Sequence, residues 1–304
     1  MPLSLIKYIT EPWRIIVAFD QHVWSIVPDT IYIKALFRIH FGRKLNLNSP
    51  KTYCEKLQWL KIFDKNPIYG EMTDKYLVRN YLSSRACNNY LVPLLKVYDS
   101  VDEISFEELP NRFVLKCTHD SGSVIIVKDK TKLDYEETKM KLSKALHRDF
   151  WRRGRESAYS HHGKARIIAE KYIYEEENIS EKPDYKFFCF GGLVKFFQVN
   201  VGRTTEDGVK VCFFDRNKKT MDIHEAAGYA SAEIIELPSN IDEMIELAER
   251  LSAGIPHVRV DLLEYKGIIY FSEFTFYHCG GFFSFQPDKW DAIIGDWLHL
   301  PPKK

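Results

Sequence analysis

The sequence predicts an α+β protein with a mainly helical front and a strand-rich back. Two observations carry this. Over residues 49–84 the apolar positions recur at helical spacing, the pattern of helices packed on one face. From residue 111 the chain changes to short runs rich in Val, Ile, Phe and Tyr, separated by Gly-containing turns, which is the pattern of paired strands. Of the 304 residues, 45% are hydrophobic and 28% charged, a globular balance without a disordered tract. That length accommodates one large unit or a few small lobes.

The elements follow in order. Residues 13–27 hold an apolar patch interrupted by Arg14, Asp20, Gln21 and His22, too short and too polar to span a bilayer. This segment reads as an amphipathic helix that either packs on its own domain or rests on a membrane surface. Its few cationic residues favour packing. Ser49-Pro50 predicts a helix through Phe63, with Ser49 as N-cap and Pro50 at the first helical position. Tyr53, Leu57 and Leu60 make its apolar face, and Glu55 and Gln58 fall opposite. A second helix covers 71–84, and Pro93 and Pro110 bracket a connecting segment. Strands at 113–117 and 124–128 form a hairpin around a polar loop, followed by a helix at 135–150 and a strand at 166–173. A hairpin of 185–190 and 193–200 turns at Gly191-Gly192, with a further strand at 209–215. A helix at 240–253, a hairpin of 258–264 and 268–275 turning at Lys266-Gly267, and a helix at 287–298 complete the chain.

Charge and cysteine usage narrow the function. A formal charge of +1 argues against wholesale nucleic-acid binding. The six cysteines are scattered with no CxxC pair, so buried free thiols in a reducing compartment are expected before disulfides or zinc.

The last hairpin carries the strongest chemical signal. With Gly267 as the centre of the turn, Asp261 and Glu273 are equidistant from it and face each other, as do Arg259 and Thr275. Side chains alternate along a strand, so all four share one face. Two opposed carboxylates repel, and a magnesium ion completed by phosphate oxygens and water resolves the repulsion. Arg259 beside them suits a phosphate or a developing oxyanion. A second reading has Arg259 alone pairing with both acids on an exposed face.

Two further segments carry weaker signals. Lys116 ends an apolar strand before Ser121-Gly122-Ser123, where small residues let backbone N–H groups approach phosphate oxygens. An ordinary hairpin turn explains the same residues, and His119 and Asp120 read equally as turn residues or substrate contacts. Glu170-Lys171-Tyr172-Ile173 ends a strand whose backbone could meet an adenine edge, with Glu177 in reach of ribose hydroxyls; a solvated acidic loop explains Glu177 as well. Lys186 sits in an apolar run and is either snorkelling or functional. Arg155-Glu156 and Arg203 read as ion pairs or as the lining of an acidic-substrate pocket.

In this order the pieces resemble an ATP-grasp enzyme, and more closely the TupA-like ATP-grasp family of bacterial polysaccharide gene clusters. The segments carrying the resemblance run from Ser49-Pro50-Lys51-Thr52 and Glu55-Lys56-Leu57-Gln58-Trp59-Leu60 through Phe113–Gly122, Ile168–Tyr172 and Pro183–Phe190 to Val258–Asp261 and Glu273–Tyr277. The resemblance implies an ATP-grasp fold, two α+β subdomains at 101–170 and 171–304 clasping ATP, after a mainly helical region at 1–100. It further implies an ATP-dependent carboxylate–amine ligase in the cytoplasm, with the inner membrane face as a second location reached through the N-terminal region. Its partners would be ATP, a uronic-acid-containing sugar or polysaccharide, and an amino acid or small amine. In that family's terms Lys116, Lys171 and the loop Ser121, Gly122 and Ser123 contact the nucleotide. Glu170 and the backbone of Lys171, Tyr172 and Ile173 hold adenine, and Glu177 holds the ribose. Asp261, Glu273 and Thr275 stand at the magnesium positions, and Arg259 and Lys186 stabilise the phosphoryl groups. The chain departs from the pattern at Thr275, where an asparagine is usual, and a hydroxyl is the weaker metal ligand. The alternatives are a glycosyltransferase, against which the absence of an Asp-x-Asp motif counts, and a non-catalytic nucleotide-binding protein of an assembly complex.

Overall fold

The computed structural model of the chain describes residues 27–160, 163–175, 183–202, 208–225, 230–231, 235–283 and 285–303. The segment expected to form an amphipathic helix lies almost wholly outside these residues, as do Glu177 and Arg203. Among the described residues no helix is long and apolar enough to cross a membrane.

The front is helical: α1 (Asp29–Phe41), α2 (Tyr53–Phe63), α3 (Ile68–Thr73) and α4 (Val78–Ser84). Helix α2 starts three residues later than Ser49-Pro50 predicts. Its N-cap is Thr52, which forms a capping box with Glu55: each side chain accepts from the other's backbone amide. The Ser49 amide is instead drawn into a turn by Asn46 Oδ1 at 3.0 Å. The helix expected over 71–84 is interrupted at Asp74, whose carboxylate accepts from the amides of Tyr76 and Leu77, both at 2.8 Å, and so holds the turn that leads into α4.

The polar face expected for α2 is also buried. Gln58 is 0% exposed and donates to the carbonyls of Gly280 and Gly281, and buried Lys61 donates to those of Gly154 and Gly280. Lys56 holds the end of α7 (Lys289–Trp297) through the carbonyls of Gly295 and Leu298 at 2.8 and 2.9 Å. The two helices approach so closely at Gly295 that a Cβ there would lie 2.3 Å from the Lys51 carbonyl oxygen.

The back is built on two principal sheets. The first has the order β1 (Leu94–Tyr98), β4 (Ile167–Lys171), β2 (Phe113–Cys117), β3 (Val124–Val127), all antiparallel. Strand β1 lies in the segment that the two prolines suggested was only a connection. Helix α5 (Tyr135–Leu146) covers this sheet, with Leu142 in a core of Phe113, Leu115, Ile167 and Ala169. The second sheet has the order β11 (Ile268–Thr275), β10 (His257–Tyr265), β5 (Asp184–Phe190), β6 (Leu193–Val201), β7 (Lys210–Asp215), β9 (Ala230–Ser231). Its pairs are antiparallel apart from β7 with β9. A short pair of β8 (His224–Glu225) and β12 (Phe285–Gln286) stands apart.

Every residue of β5 is buried, because both of its faces are covered. Tyr185, Phe187 and Cys189 point one way, and the Cys189 thiol meets the Ala248 carbonyl of α6 (Ile241–Ser252). Asp184, Lys186 and Phe188 therefore occupy the other face. Phe187, Phe188, Phe196 and Phe197 are each 0% exposed in a core shared by this sheet and the front helices. Each such ring contributes roughly 1.5–3 kcal/mol by leaving water. A smaller cluster bridges the sheets, in which Tyr172, Ile173 and Tyr174 after β4 pack on Leu263, Tyr265 and Tyr270 of the last hairpin. Of the cysteines, 54, 87, 117 and 189 are buried free thiols, Cys212 is half-buried and Cys279 is exposed.

Candidate functional site

The last hairpin pairs Asp261 with Glu273 and Arg259 with Thr275, as counting from Gly267 predicts, but it reaches that register by another route. The turn is a two-residue one with Tyr265 opposite Ile268, and Lys266 and Gly267 both have positive φ (51° and 78°). Such a turn alone would set Asp261 against Ser272. A bulge between Asp261 and Leu262 on the β10 ladder leaves Ser272 unpaired and brings Glu273 opposite Asp261.

The same ladder rung runs on across the sheet. Asp261 faces Lys186 of β5, and Lys186 faces Gln198 of β6. Glu273, Asp261, Lys186 and Gln198 thus form one polar row, beside a row with Thr275, Arg259 and Phe188. Asp261 is 3% exposed and fully engaged. Its Oδ1 accepts from Arg259 Nε at 2.6 Å, and its Oδ2 accepts from Arg259 Nη2 at 2.7 Å and Lys186 Nζ at 2.9 Å. Arg259 also donates to Thr275 Oγ1 at 3.0 Å and pairs with His278 Nδ1 at 2.7 Å, while Glu273 lies 4.0 Å away. Lys186 has a second carboxylate, Asp184, at 2.8 Å. Arg259 is therefore not a surface cation bridging two exposed acids. It is buried and grips one acid with both arms.

These contacts set the protonation states. Burial opposes ionisation of Asp261, but the charges of Arg259 and Lys186 outweigh it and hold the carboxyl at about 2. Burial opposes the charge on Arg259 and Lys186 as well, and the surrounding acids more than compensate: Asp261 with Glu273 at Arg259, and Asp261 with Asp184 at Lys186. Burial, reinforced by Arg259, pushes His278 well below the usual imidazole range, so it is neutral and accepts from the guanidinium.

The donor set suits magnesium of one particular kind. Two opposed carboxylates and a hydroxyl are hard oxygen donors, and among the described residues no group of three His, Cys, Asp or Glu side chains forms a metal cage. Magnesium is commonly held by one or two carboxylates with phosphate oxygens and water completing its shell. Asp261 and Glu273 fit that arrangement, in which a polyphosphate brings most of the ligands. Thr275 here serves as an acceptor for Arg259.

On the first sheet, Lys116 Nζ donates to Glu170 Oε2 at 2.7 Å across β2 and β4, and Arg79 lies 3.5 Å from the other oxygen. Lys171 extends an exposed side chain, while its amide donates to the Pro93 carbonyl at 2.9 Å. Tyr172 and Ile173 are buried at the junction of the sheets. In the loop after β2, Gly122 has φ +95° with open space beside it, Ser123 Oγ accepts from the Cys117 amide at 3.2 Å, and the Ser121 carbonyl accepts from Arg148. Asp120 is buried and bonded to Ser123 and Arg148, so it shapes the loop. Arg155 pairs with Asp29 at 3.4 Å and lies over Tyr32, an ion pair set into the front helices.

Three residues have no signal in the sequence. Lys75, between α3 and α4, donates to the Asp120 carbonyl; burial lowers its pKa, opposed by Glu273 and Asp120. It ties the helical front to the loop and puts a cation near the hairpin. His278 backs Arg259. Gln198 donates to Asn200 at 2.8 Å, while its Oε1 is buried with no partner among the described residues, which calls for a donor from water or ligand.

A family model described as TupA-like ATPgrasp matches residues 55–299. No curated protein matches the chain. Among solved structures, a D-alanine–D-alanine ligase from Bacillus anthracis complexed with ATP is 18% identical, over 68% of this chain and 55% of its own, with TM-score 0.39. A RimK domain ATP-grasp protein from Sphaerobacter thermophilus is 14% identical over 82% and 78%, with TM-score 0.40. The ATP-grasp ligase PsnB with its minimal precursor is 9% identical over 91% and 74%, with TM-score 0.44. The chain spans 55–61% of the length of the D-alanine–D-alanine ligases it matches. These superpositions are loose, and the assignment rests on the family match over most of the sequence. The fold is of the ATP-grasp class, and the chain belongs to the TupA-like ATP-grasp family.

Proposed function

We propose that the protein is an ATP-dependent carboxylate–amine ligase that makes an amide through an acyl phosphate. The observation that carries this reading is the polar row at the centre of the second sheet: Asp261 opposite Glu273, with Arg259 and Lys186 held beside them. The row offers cations to a polyphosphate and carboxylates to its magnesium. A substrate carboxylate oxygen attacks the γ-phosphorus of ATP, the bond to the β-phosphate oxygen breaks, and ADP leaves. An amine nitrogen then attacks the acyl carbon, loses a proton, and releases inorganic phosphate. No covalent enzyme intermediate is needed.

The chain's own residues act by position and charge. Lys116 and the loop Ser121-Gly122-Ser123 hold the phosphates from the first sheet, Glu170 through Ile173 receive the base, and Lys171 and Glu177 complete the nucleotide site. Lys186 and Arg259 stabilise charge on the transferred group, as preorganised cations do in phosphoryl transfer. Magnesium held by Asp261 and Glu273, with Thr275 beside them, would supply neutralisation at the phosphoryl oxygens. The carboxylate substrate in this reading is a uronic acid of a bacterial surface polysaccharide or its precursor, and the amine is an amino acid or small amine, used in the cytoplasm.

The test is incubation with ATP, magnesium, uronic acids and an amine pool, following ADP, phosphate and the mass of a new amide. The reading expects ADP release that requires the carboxylate, and its loss in Asp261→Asn and Glu273→Gln. Full activity in both variants, or transfer of a sugar without ADP, would overturn it.

A further inference from the structure

The segment between α5 and β4 has no part in the nucleotide reading, yet it is pinned in place with unusual care. The Gly154 carbonyl accepts from Lys61 at 2.9 Å, the Ala158 carbonyl accepts from Thr73 at 3.1 Å, and Ser157 Oγ bonds the Tyr277 hydroxyl at 2.9 Å. Between this segment and the loop after β2 lies a cavity of about 320 Å³, whose walls include His119, Arg148, Phe150, Trp151, Tyr159 and Ser160. That is at the lower end of the roughly 300–1,000 Å³ typical of small-molecule sites, a size that suits one small ring.

The cavity adjoins the proposed phosphoryl site on two sides. The Tyr159 hydroxyl reaches the carbonyl of Phe274, the residue between Glu273 and Thr275. Arg148 uses one guanidinium nitrogen, Nη2, for Asp120 and the Ser121 carbonyl, both at 3.1 Å, so its fork stands at the edge of the Ser/Gly loop. The remaining nitrogens of that guanidinium suit a carboxylate. The aromatic walls suit the C–H face of a sugar ring, since an aromatic ring presents an apolar, electron-rich face. A carboxylate taken by Arg148 would sit beside phosphates gripped by the loop.

We propose that the cavity walled by Arg148, Phe150, Trp151 and Tyr159 is the acceptor site, and that it takes one pyranose ring bearing a carboxylate. The assignment rests on the ligase reading for its role in the reaction, but the binding site stands or falls separately.

Saturation-transfer NMR on the full chain decides it, with D-glucuronate as probe, D-glucose as the ring without a carboxylate and L-glutamate as a carboxylate without a ring. Glucuronate binds, glucose and glutamate bind about tenfold more weakly or not at all, and Trp151→Ala and Arg148→Met each lose the glucuronate signal, while Trp151→Ala still binds ATP as the wild type does. Trp151→Phe, which keeps an aromatic wall, retains binding and guards against a folding defect. Binding of glutamate in preference to glucuronate, glucuronate binding that survives both substitutions, or no binding of any probe overturns the proposal. If glucuronate binds as stated but elicits no ADP, the ligase reading fails and the sugar-acid site stands.

Discussion

Replacing Asp261 with Asn probes the centre of the site through stability as well as activity. Asn keeps the shape and removes one charge from a place where Arg259 and Lys186 approach within 2.6–2.9 Å. Arg259 and Lys186 bring the carboxyl from its ordinary 3.8 down to about 2 despite burial. That drop corresponds to about 2 kcal/mol of native-state stability. Removing one partner of a buried ion pair costs about 3–5 kcal/mol where no other charge compensates. Asp184, at 2.8 Å from Lys186, compensates in part here, so the expected loss is about 2–4 kcal/mol. The sign with pH follows from the lowered value. The stabilisation is complete above the ordinary carboxyl range and fades as pH falls from 3.8 toward about 2. Urea denaturation at neutral pH and in acid measures both. The gap between wild type and variant should be constant near neutrality and narrow in acid. Equal stability at neutral pH, or a gap that widens on acidification, would refute the ion-pair reasoning.

Other predictions follow from the same geometry. Buried His257 is held at about 4 rather than 6.5, chiefly by desolvation, so between those values the unfolded chain binds the extra proton and stability falls as pH falls; the loss approaches about 3 kcal/mol, and chemical denaturation of His257→Gln should show a flatter profile. Deleting Ser272 removes the bulge and leaves Asp261 opposite Glu273 in a regular ladder, so ATP turnover should survive it and fail in Glu273→Gln. Gly295→Ala drives a methyl group into the Lys51 carbonyl and should destabilise the chain by about 1–3 kcal/mol in a thermal melt, without changing the KM for ATP. Glu170→Gln loosens Lys116 and Arg79 together, and should raise the KM for ATP about tenfold with a smaller change in kcat.

The periodic features were legible in the sequence. The strand pairs around residues 118–123, 191–192 and 266–267 sit where alternation and turn residues put them. The Asp261–Glu273 register was read correctly through two errors that cancel. The turn is centred between Lys266 and Gly267 rather than on Gly267, and the bulge at Ser272 restores the missing residue. Nothing local to Ser272 announces a bulge. The face of α2 was misread because Gln58 looks like a solvent residue until a distant segment, at Gly280 and Gly281, supplies carbonyls for it. The start of that helix could have been found, since Thr52-x-x-Glu55 is itself a capping signature. Strand β1 was hidden by the prolines that frame its segment. Lys75 and His278 join the site only through tertiary packing, which no spacing rule reports.

The central claim is that a carboxylate is activated by transfer of the γ-phosphoryl group of ATP. Its most direct test is a turnover with D-glucuronate whose carboxylate oxygens are replaced by the heavy isotope, in the presence of ATP, magnesium and an amine. The account predicts that one heavy oxygen appears in the inorganic phosphate for each amide formed. Amide without label in the phosphate, or ADP release that does not require the carboxylate, would contradict it.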